Sequence, residues 1–125
     1  HLNFLTKTVD KFKSQGIRTS IFLDPITEMV EYAKKTGTDR IELYTEKYAK
    51  NLNEINTYIQ AANLATELNI GLNAGHDLNL ENVGYFKKNI PDLIEVSIGH
   101  ALICESLYNG LKNTITSYLK ILNKK

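Results

Sequence analysis

Four short apolar segments rich in β-branched residues alternate with helical patterns along this 125-residue chain. The predicted strands cover 19–23, 40–45, 70–75 and 93–99. The connections between them are too long for hairpins, so we expect parallel strands joined by right-handed crossovers. The sequence therefore predicts an α/β fold, with residues 1–125 in a single domain.

The predicted helices carry apolar residues at helical spacing. One helix precedes the first strand, and another follows it with Thr27 as its N-cap and Gly37 as its stop. Helices also follow the second and third strands. Two helices, 101–109 and 111–123, follow the last strand. The order is thus one helix and then four β/α units.

One face of the predicted sheet is apolar and the other is polar, because successive strand side chains point to opposite faces. The residues expected to face the helices are Ile21, Leu23, Ile41, Leu43, Ile94, Val96 and Ile98. The alternating positions are Ser20, Asp24, Arg40, Glu42, Tyr44, Gly71, Asn73, Gly75, Glu95, Ser97 and Gly99. Charges beneath a helical layer are costly unless they are paired. A polar barrel interior that holds a ligand explains this pattern better than an open sheet does.

Four β/α units make half of the usual eight-stranded (β/α)8 TIM barrel. Half a barrel would leave two unpaired strand edges. We therefore expect the chain to be the carboxyl-terminal half of a larger polypeptide, or to dimerise to complete a barrel. The chain begins with His1 rather than methionine, which agrees with a longer protein.

Two glycine–histidine steps mark the ends of predicted strands, Gly75-His76 and Gly99-His100. The carboxyl ends of parallel strands share one rim, and β/α folds place their ligands at that rim. Gly99-His100 also leads directly into a short helix, whose free N–H groups and dipole favour an anion. The sequence predicts a phosphate site there, and the alternative is a tight turn with an incidental histidine.

Two further groups are candidates for the chemistry. Histidine titrates near neutrality, so His76 is a candidate acid or base. Glu42 faces the predicted interior, where Arg40 is a possible partner for which Glu95 competes. Glu42 either belongs to a charge-paired layer or stabilises positive charge or relays protons during a reaction.

A metal site is the weaker interpretation. His76, Asp77, His100 and Glu42 offer nitrogen and oxygen ligands, but they lack HxH or HExxH spacing. We therefore expect no metal.

Composition narrows the function classes. A formal charge of +1 and scattered lysines give no indication of a nucleic-acid partner, and no apolar run is long enough to span a membrane. Cys104 is the only cysteine, so no internal disulfide forms and a cytoplasmic location is favoured. Its place in a helical pattern with no nearby histidine base predicts a buried structural thiol.

Several motifs occur in the order found in one enzyme family. They are 16–25 (GIRTSIFLDP), 39–45 (DRIELYT), 73–76 (NAGH) and 98–101 (IGHA), and together they closely resemble pyridoxine 5′-phosphate synthase. The resemblance implies a β/α barrel with extra helices, of which this chain supplies roughly strands 5–8, in a homo-octamer. It also implies vitamin B6 synthesis from 1-deoxy-D-xylulose 5-phosphate and 3-amino-2-oxopropyl phosphate, which releases phosphate and water. No cofactor is expected.

The resemblance also assigns roles to residues. His76 corresponds to the family's proton donor and Glu42 to its transition-state-stabilising carboxylate. Asp77 corresponds to a backbone position that contacts the aminoketone phosphate, although glycine is common there. Gly99 and His100 correspond to a substrate phosphate-binding pair.

The family's other proton acceptors and its deoxyxylulose phosphate motifs have no counterpart here. The chain by itself is therefore not expected to be catalytically competent. Two alternatives stay open, namely another phosphate-handling barrel such as an isomerase or aldolase, and a non-enzymatic α/β module that binds a phosphorylated ligand.

Overall fold

The computed structural model describes residues 1–123, so the last two residues of the predicted domain lie outside the described part. The strands are β1 (Ser20–Leu23), β2 (Arg40–Tyr44), β3 (Gly71–His76) and β4 (Leu93–Ile98). The helices are α1 (Leu2–Lys13), α2 (Thr27–Lys35), α3 (Glu46–Lys50), α4 (Ile55–Glu67), α5 (Val83–Asn89), α6 (His100–Asn109) and α7 (Leu111–Leu122). The strand bounds differ from the predicted ones by one residue at most at either end. The helix expected after the second strand is divided into α3, a 3₁₀ turn and α4.

The strands form a single sheet in the order β1-β2-β3-β4, and every neighbouring pair is parallel. This arrangement confirms the predicted α/β class. The register places Phe22, Glu42, Asn73 and Glu95 in one row across the sheet. Residues of a row lie on the same face, so the predicted polar face exists as a continuous surface.

The opposite face carries the core. Ile41, Leu43, Leu72 and Ala74 are buried there beneath the helices. The core contains few charged groups, and no buried side-chain nitrogen or oxygen among residues 1–123 lacks a hydrogen-bond partner. Burial of the apolar face therefore fixes which side of each strand is left for the polar residues.

An aromatic cluster of Tyr48, Tyr58 and Phe86 supports the carboxyl end of the sheet, with ring centroids 4.9–6.0 Å apart. The Tyr58 hydroxyl donates to the carbonyl of Tyr44 at 2.7 Å, and the Tyr48 hydroxyl donates to the carbonyl of Asn82 at 2.7 Å. Burial raises the pKa of both tyrosines to about 12. The cluster thus ties the end of β2 to the start of α5.

The prediction that Ile94 faces the helices is wrong. A bulge in the pairing of β3 with β4 matches Leu72 with Leu93 but Asn73 with Glu95, so Ile94 is an extra residue. Leu93 occupies the buried position, whereas Ile94 is 56% exposed. An ideal Cβ on Gly71 would lie 3.2 Å from Ile94 Cδ1, which places this side chain near the polar face.

The predicted N-cap of α2 is also displaced. Ile26 occupies the N-cap position, with an extended backbone, and its carbonyl accepts from the N–H of Val30 at 3.2 Å. Thr27 is the first helical residue, and its hydroxyl donates to Glu28 Oε2 at 3.2 Å instead.

Among residues 1–123, the helices are too short or too polar to cross a membrane.

Asp39 joins the starts of β1 and β2 to α1, and this contact makes stability depend on pH. Its carboxylate accepts from Lys13 Nζ at 2.9 Å and from the N–H of Thr19 at 2.8 Å. These bonds lower the Asp39 pKa from 3.8 to about 2. A carboxyl whose pKa falls on folding stabilises the fold above its unfolded pKa, and loses that effect as pH falls through the folded value.

The Asp39→Asn variant is therefore expected to melt at a lower temperature than the wild type near neutral pH. The gap between the two should close between about pH 4 and pH 2. Thermal unfolding at a series of pH values measures this. Asp10→Asn, which alters an exposed α1 side chain, is the matched control and should show no such convergence. A gap that is constant with pH would show that the Asp39 charge is not what stabilises this contact.

Candidate functional site

A hollow of about 710 Å³ lies on the polar face at the carboxyl ends of the strands. Its lining residues are Phe22, Glu42, His76, Asp77, Ser97, Ile98, Gly99 and His100. The structure thus brings all five predicted site residues to one place. Their chemical roles remain predictions.

His76 reaches the hollow through an unusual backbone conformation. In a regular strand its side chain would point to the helix face, because Gly75 belongs to the polar face. His76 instead has φ = 103°, a conformation that non-glycine residues rarely adopt and that costs about 1–3 kcal/mol. The imidazole then packs edge-on against Tyr44, with centroids 5.0 Å apart and planes at 89°. Strained backbone therefore aims the ring at the rim.

The side chain of Asp77 turns toward His76. Its Oδ2 lies 3.0 Å from His76 Nδ1. The backbone of Asp77 is also engaged, because its N–H donates weakly to Thr45 Oγ1 at 3.4 Å and its carbonyl accepts from Asn82 Nδ2 at 3.2 Å. Thr45 in turn donates to the carbonyl of Gly75 at 2.8 Å. The turn after β3 is thus held to the end of β2.

Glu42 does not pair with Arg40. Arg40 Nη1 donates to Glu95 Oε2 at 3.0 Å and to Asn73 Oδ1 at 3.2 Å, so Glu95 wins the competition for the cation. Among residues 1–123, Glu42 forms no ion pair and no side-chain hydrogen bond. Its carboxylate lies against Gly75, where an ideal Cβ would be 2.6 Å from Glu42 Oε1. The absent side chain of Gly75 makes room for this carboxylate.

The amino end of α6 borders the same hollow. The helix begins at His100, one residue earlier than predicted, and Gly99 is its N-cap. No side chain caps this end, and the first helical bond runs from the N–H of Ile103 to the carbonyl of Gly99 at 3.2 Å. The preceding amides have no partner within the helix, so they are donors suited to an anion.

The prediction of a buried structural thiol at Cys104 is wrong. Cys104 is exposed, and its Sγ lies 3.4 Å from His100 Nε2 one helical turn away. No residue of helix α6 is buried. The expectation of no histidine near Cys104 is therefore also wrong, because His100 lies four residues earlier on the same helix.

Phe22, Ser97 and Ile98 also line the hollow but were not predicted as site residues. The signal was the same strand alternation that selected Glu42, because Phe22 lies between Ile21 and Leu23, which face the helices. The Phe22 ring lies 5.2 Å from that of Tyr44. An aromatic strip of Phe22, Tyr44 and His76 therefore crosses three strand ends.

No cluster of three or more His, Cys, Asp or Glu suited to a metal ion occurs within residues 1–123.

Comparisons with known proteins agree with the order of the motifs. The sequence profile of the family described as "Pyridoxal phosphate biosynthesis protein PdxJ" matches residues 1–124. A pyridoxine 5′-phosphate synthase from Flavobacterium johnsoniae is 59% identical over 124 residues, which cover 95% of this chain and 52% of the relative. The protein of the same name from Cytophaga hutchinsonii is 57% identical over 129 residues, which cover 99% of this chain and 54% of the relative. The chain thus spans about half the length of these curated relatives.

The strain at His76 predicts an unusual order of stabilities. His76→Gly should be more stable than His76→Ala by about 1 kcal/mol, because glycine tolerates positive φ whereas alanine keeps the unfavourable Cβ. Denaturant unfolding measures the difference. The control is the same pair at His100, which has no positive φ and where alanine should be the more stable. The alanine variant being the more stable at both positions would argue against a strained turn at His76.

The close contact of Glu42 with Gly75 predicts that a larger residue at position 75 lowers the stability of the protein. An added Cβ would lie 2.8 Å from the carbonyl oxygen of Ser97 as well as close to Glu42. That oxygen belongs to the β4 backbone and cannot move aside cheaply. Gly75→Ala should therefore destabilise the protein by about 1–3 kcal/mol. Gly99→Ala, whose Cβ would meet nothing within 4 Å, is the matched control for unfolding. Equal stability of the two variants would show that Gly75 is not closely packed.

Proposed function

The chain belongs to the PdxJ family of pyridoxal phosphate biosynthesis proteins, and on this basis we propose that it forms the carboxyl-terminal half of a pyridoxine 5′-phosphate synthase. The observation that carries the proposal is the single hollow in which Glu42, His76 and the start of α6 meet. Family membership points to the reaction, and the hollow supplies part of the groups that such a reaction needs. The family's other proton acceptors would come from the other half of the complete protein.

We further propose that the complete protein is a (β/α)8 TIM barrel in which residues 1–125 supply strands 5–8. The polar face supports this proposal, because Phe22 is 54% exposed there and Ile94 is 56% exposed. Neighbouring strands would cover both. The outer edges of β1 and β4 have no strand partner among residues 1–123. A barrel closes such edges.

The proposed reaction condenses 1-deoxy-D-xylulose 5-phosphate with 3-amino-2-oxopropyl phosphate to give pyridoxine 5′-phosphate, phosphate and water. Ring closure requires repeated proton transfers and the loss of a hydroxyl as water. In this proposal His76 donates a proton to a leaving oxygen, and the carboxylate of Glu42 stabilises the positive charge that develops. A carboxylate without an ion-pair partner suits that task because its charge is not already neutralised.

The phosphate of the aminoketone substrate would bind at the start of α6. Gly99 allows close approach of the backbone, the open amides of the first turn donate hydrogen bonds, and His100 adds a donor. The contact of Asp77 with this substrate, expected from the resemblance, would require its backbone N–H to exchange the weak bond to Thr45 for the ligand.

We propose a homo-oligomer, specifically an octamer, as the functional assembly. Helices α6 and α7 expose an apolar surface that supports subunit contacts. Its residues are Ile103, Leu107, Tyr108, Leu111, Ile115 and Leu119. Phosphorylated small molecules are the proposed partners of the site itself.

The complete polypeptide is expected to convert the two named phosphates into pyridoxine 5′-phosphate and to release one phosphate per product. Chromatography of the product and a phosphate assay test this together. His76→Ala should lower kcat by about 10²–10⁴-fold, the usual contribution of general acid–base catalysis. The variant should still bind the aminoketone phosphate, which calorimetry measures.

The outcomes separate the candidate functions. An isomerase or aldolase would release no phosphate from this pair of substrates, and a binding module would form no product at all. A His76→Ala variant with undiminished kcat would remove His76 from the mechanism. Asp10→Asn, on the surface of α1, controls for general effects of substitution and should retain wild-type turnover.

A further inference from the structure

We propose that Asp77 is a positioning residue for His76, whose imidazole it holds so that Nε2 faces the hollow. The inference rests on the proposed role of His76 as an acid, and it assigns a task to the carboxylate of Asp77 rather than to its backbone. The observation is the 3.0 Å contact between Asp77 Oδ2 and His76 Nδ1 at the rim.

The backbone builds this contact. Adjacent side chains in a regular strand point to opposite faces and cannot meet. The φ of 103° at His76 breaks that alternation and turns both side chains toward the same side. Asp77 is then held by its N–H, which donates to Thr45 Oγ1 at 3.4 Å, and by its carbonyl, which accepts from Asn82 Nδ2 at 3.2 Å.

Tyr44 restrains the ring from another direction, because its own ring meets the imidazole edge-on. The pKa of Tyr44 is raised, mainly by burial, then by the Glu46 carboxylate and to a smaller extent by Asp77. Tyr44 is therefore neutral at physiological pH and contributes an uncharged ring to this packing. The contact of Asp77 at Nδ1 and the packing against the Tyr44 ring both restrict rotation of the imidazole.

The chemical consequence concerns which nitrogen carries the mobile proton. A carboxylate that accepts from Nδ1–H keeps a proton there in both the neutral and the charged imidazole. Proton exchange with a substrate then takes place at Nε2. Without Asp77, neutral His76 would populate both tautomers, and a fraction of molecules would present the wrong nitrogen state to the hollow.

A different role for the same carboxylate makes a different prediction. Asp77 also lies near the proposed phosphate site, where its negative charge would weaken substrate binding directly. That effect would depend on charge alone and would alter KM. The positioning role depends on a hydrogen-bond acceptor beside Nδ1 and would alter kcat.

The test compares Asp77→Ala with Asp77→Asn in the complete synthase. Alanine removes the acceptor, and we expect kcat to fall roughly tenfold, less than the roughly 10²–10⁴-fold of losing the acid itself. KM for the aminoketone phosphate should change by less than about twofold. Asparagine loses the charge but keeps an acceptor oxygen, so its kcat should lie between those of the alanine variant and the wild type. Equal kcat in the two variants, or a change confined to KM, overturns the proposal.

A second readout needs no turnover. The ¹⁵N resonances of the His76 imidazole, assigned by their absence in His76→Ala, report the tautomer. The wild type should show Nδ1–H, and Asp77→Ala should shift the signal toward Nε2–H. If the wild-type protein makes no product, the proposed function fails. The tautomer of His76 then tests by itself whether Asp77 positions the imidazole. An unchanged tautomer in Asp77→Ala then overturns the inference, and a shift supports it.

Discussion

Parallel pairing in register brings the carboxyl ends of all four strands to one rim. The pairing sets Tyr44 beside Gly75 and Gly75 beside Ser97. Because the opposite face is buried under helices, a shift of any strand by one residue would turn its polar residues into the core. Burial on one face therefore leaves Phe22, Glu42 and Ser97 on the other, where they line the hollow.

Glycine is what allows long charged side chains to lie on that polar face. A Cβ on Gly71 would come within 2.7 Å of Arg40 Cγ, and one on Gly75 within 2.6 Å of Glu42 Oε1. Arg40 extends across Gly71 to reach Glu95, while Glu42 rests against Gly75 and forms no ion pair within residues 1–123. Glu95 and Glu42 thus differ in environment. Glu95 pairs with Arg40, whereas the carboxylate of Glu42 remains available to a ligand.

The sequence predicted the strands and the rim well, since apolar periodicity and turn residues are local signals. It predicted the position of Ile94 incorrectly, because a bulge depends on how two strands pair and leaves no mark in alternation. The exposure of Cys104 depended on where α6 lies in the fold. The direction of the His76 ring depended on a single backbone angle. The sequence did not show which carboxylate pairs with Arg40, because Glu42 and Glu95 both occupy polar-face positions of their strands. The choice depends on the direction in which the Arg40 side chain extends across the sheet.

The strained conformation of His76 persists because the residues around it are held independently. Thr45 bonds to the carbonyl of Gly75, and the hydroxyl of Tyr58 fixes the carbonyl of Tyr44 from within the aromatic cluster. Neither contact involves the side chain at position 76. The core therefore holds the rim in a shape that a histidine alone would not adopt. If His76 has the proposed role, stability and function are separable at this turn, because its side chain is more than half exposed and the contacts that hold the turn come from neighbouring residues.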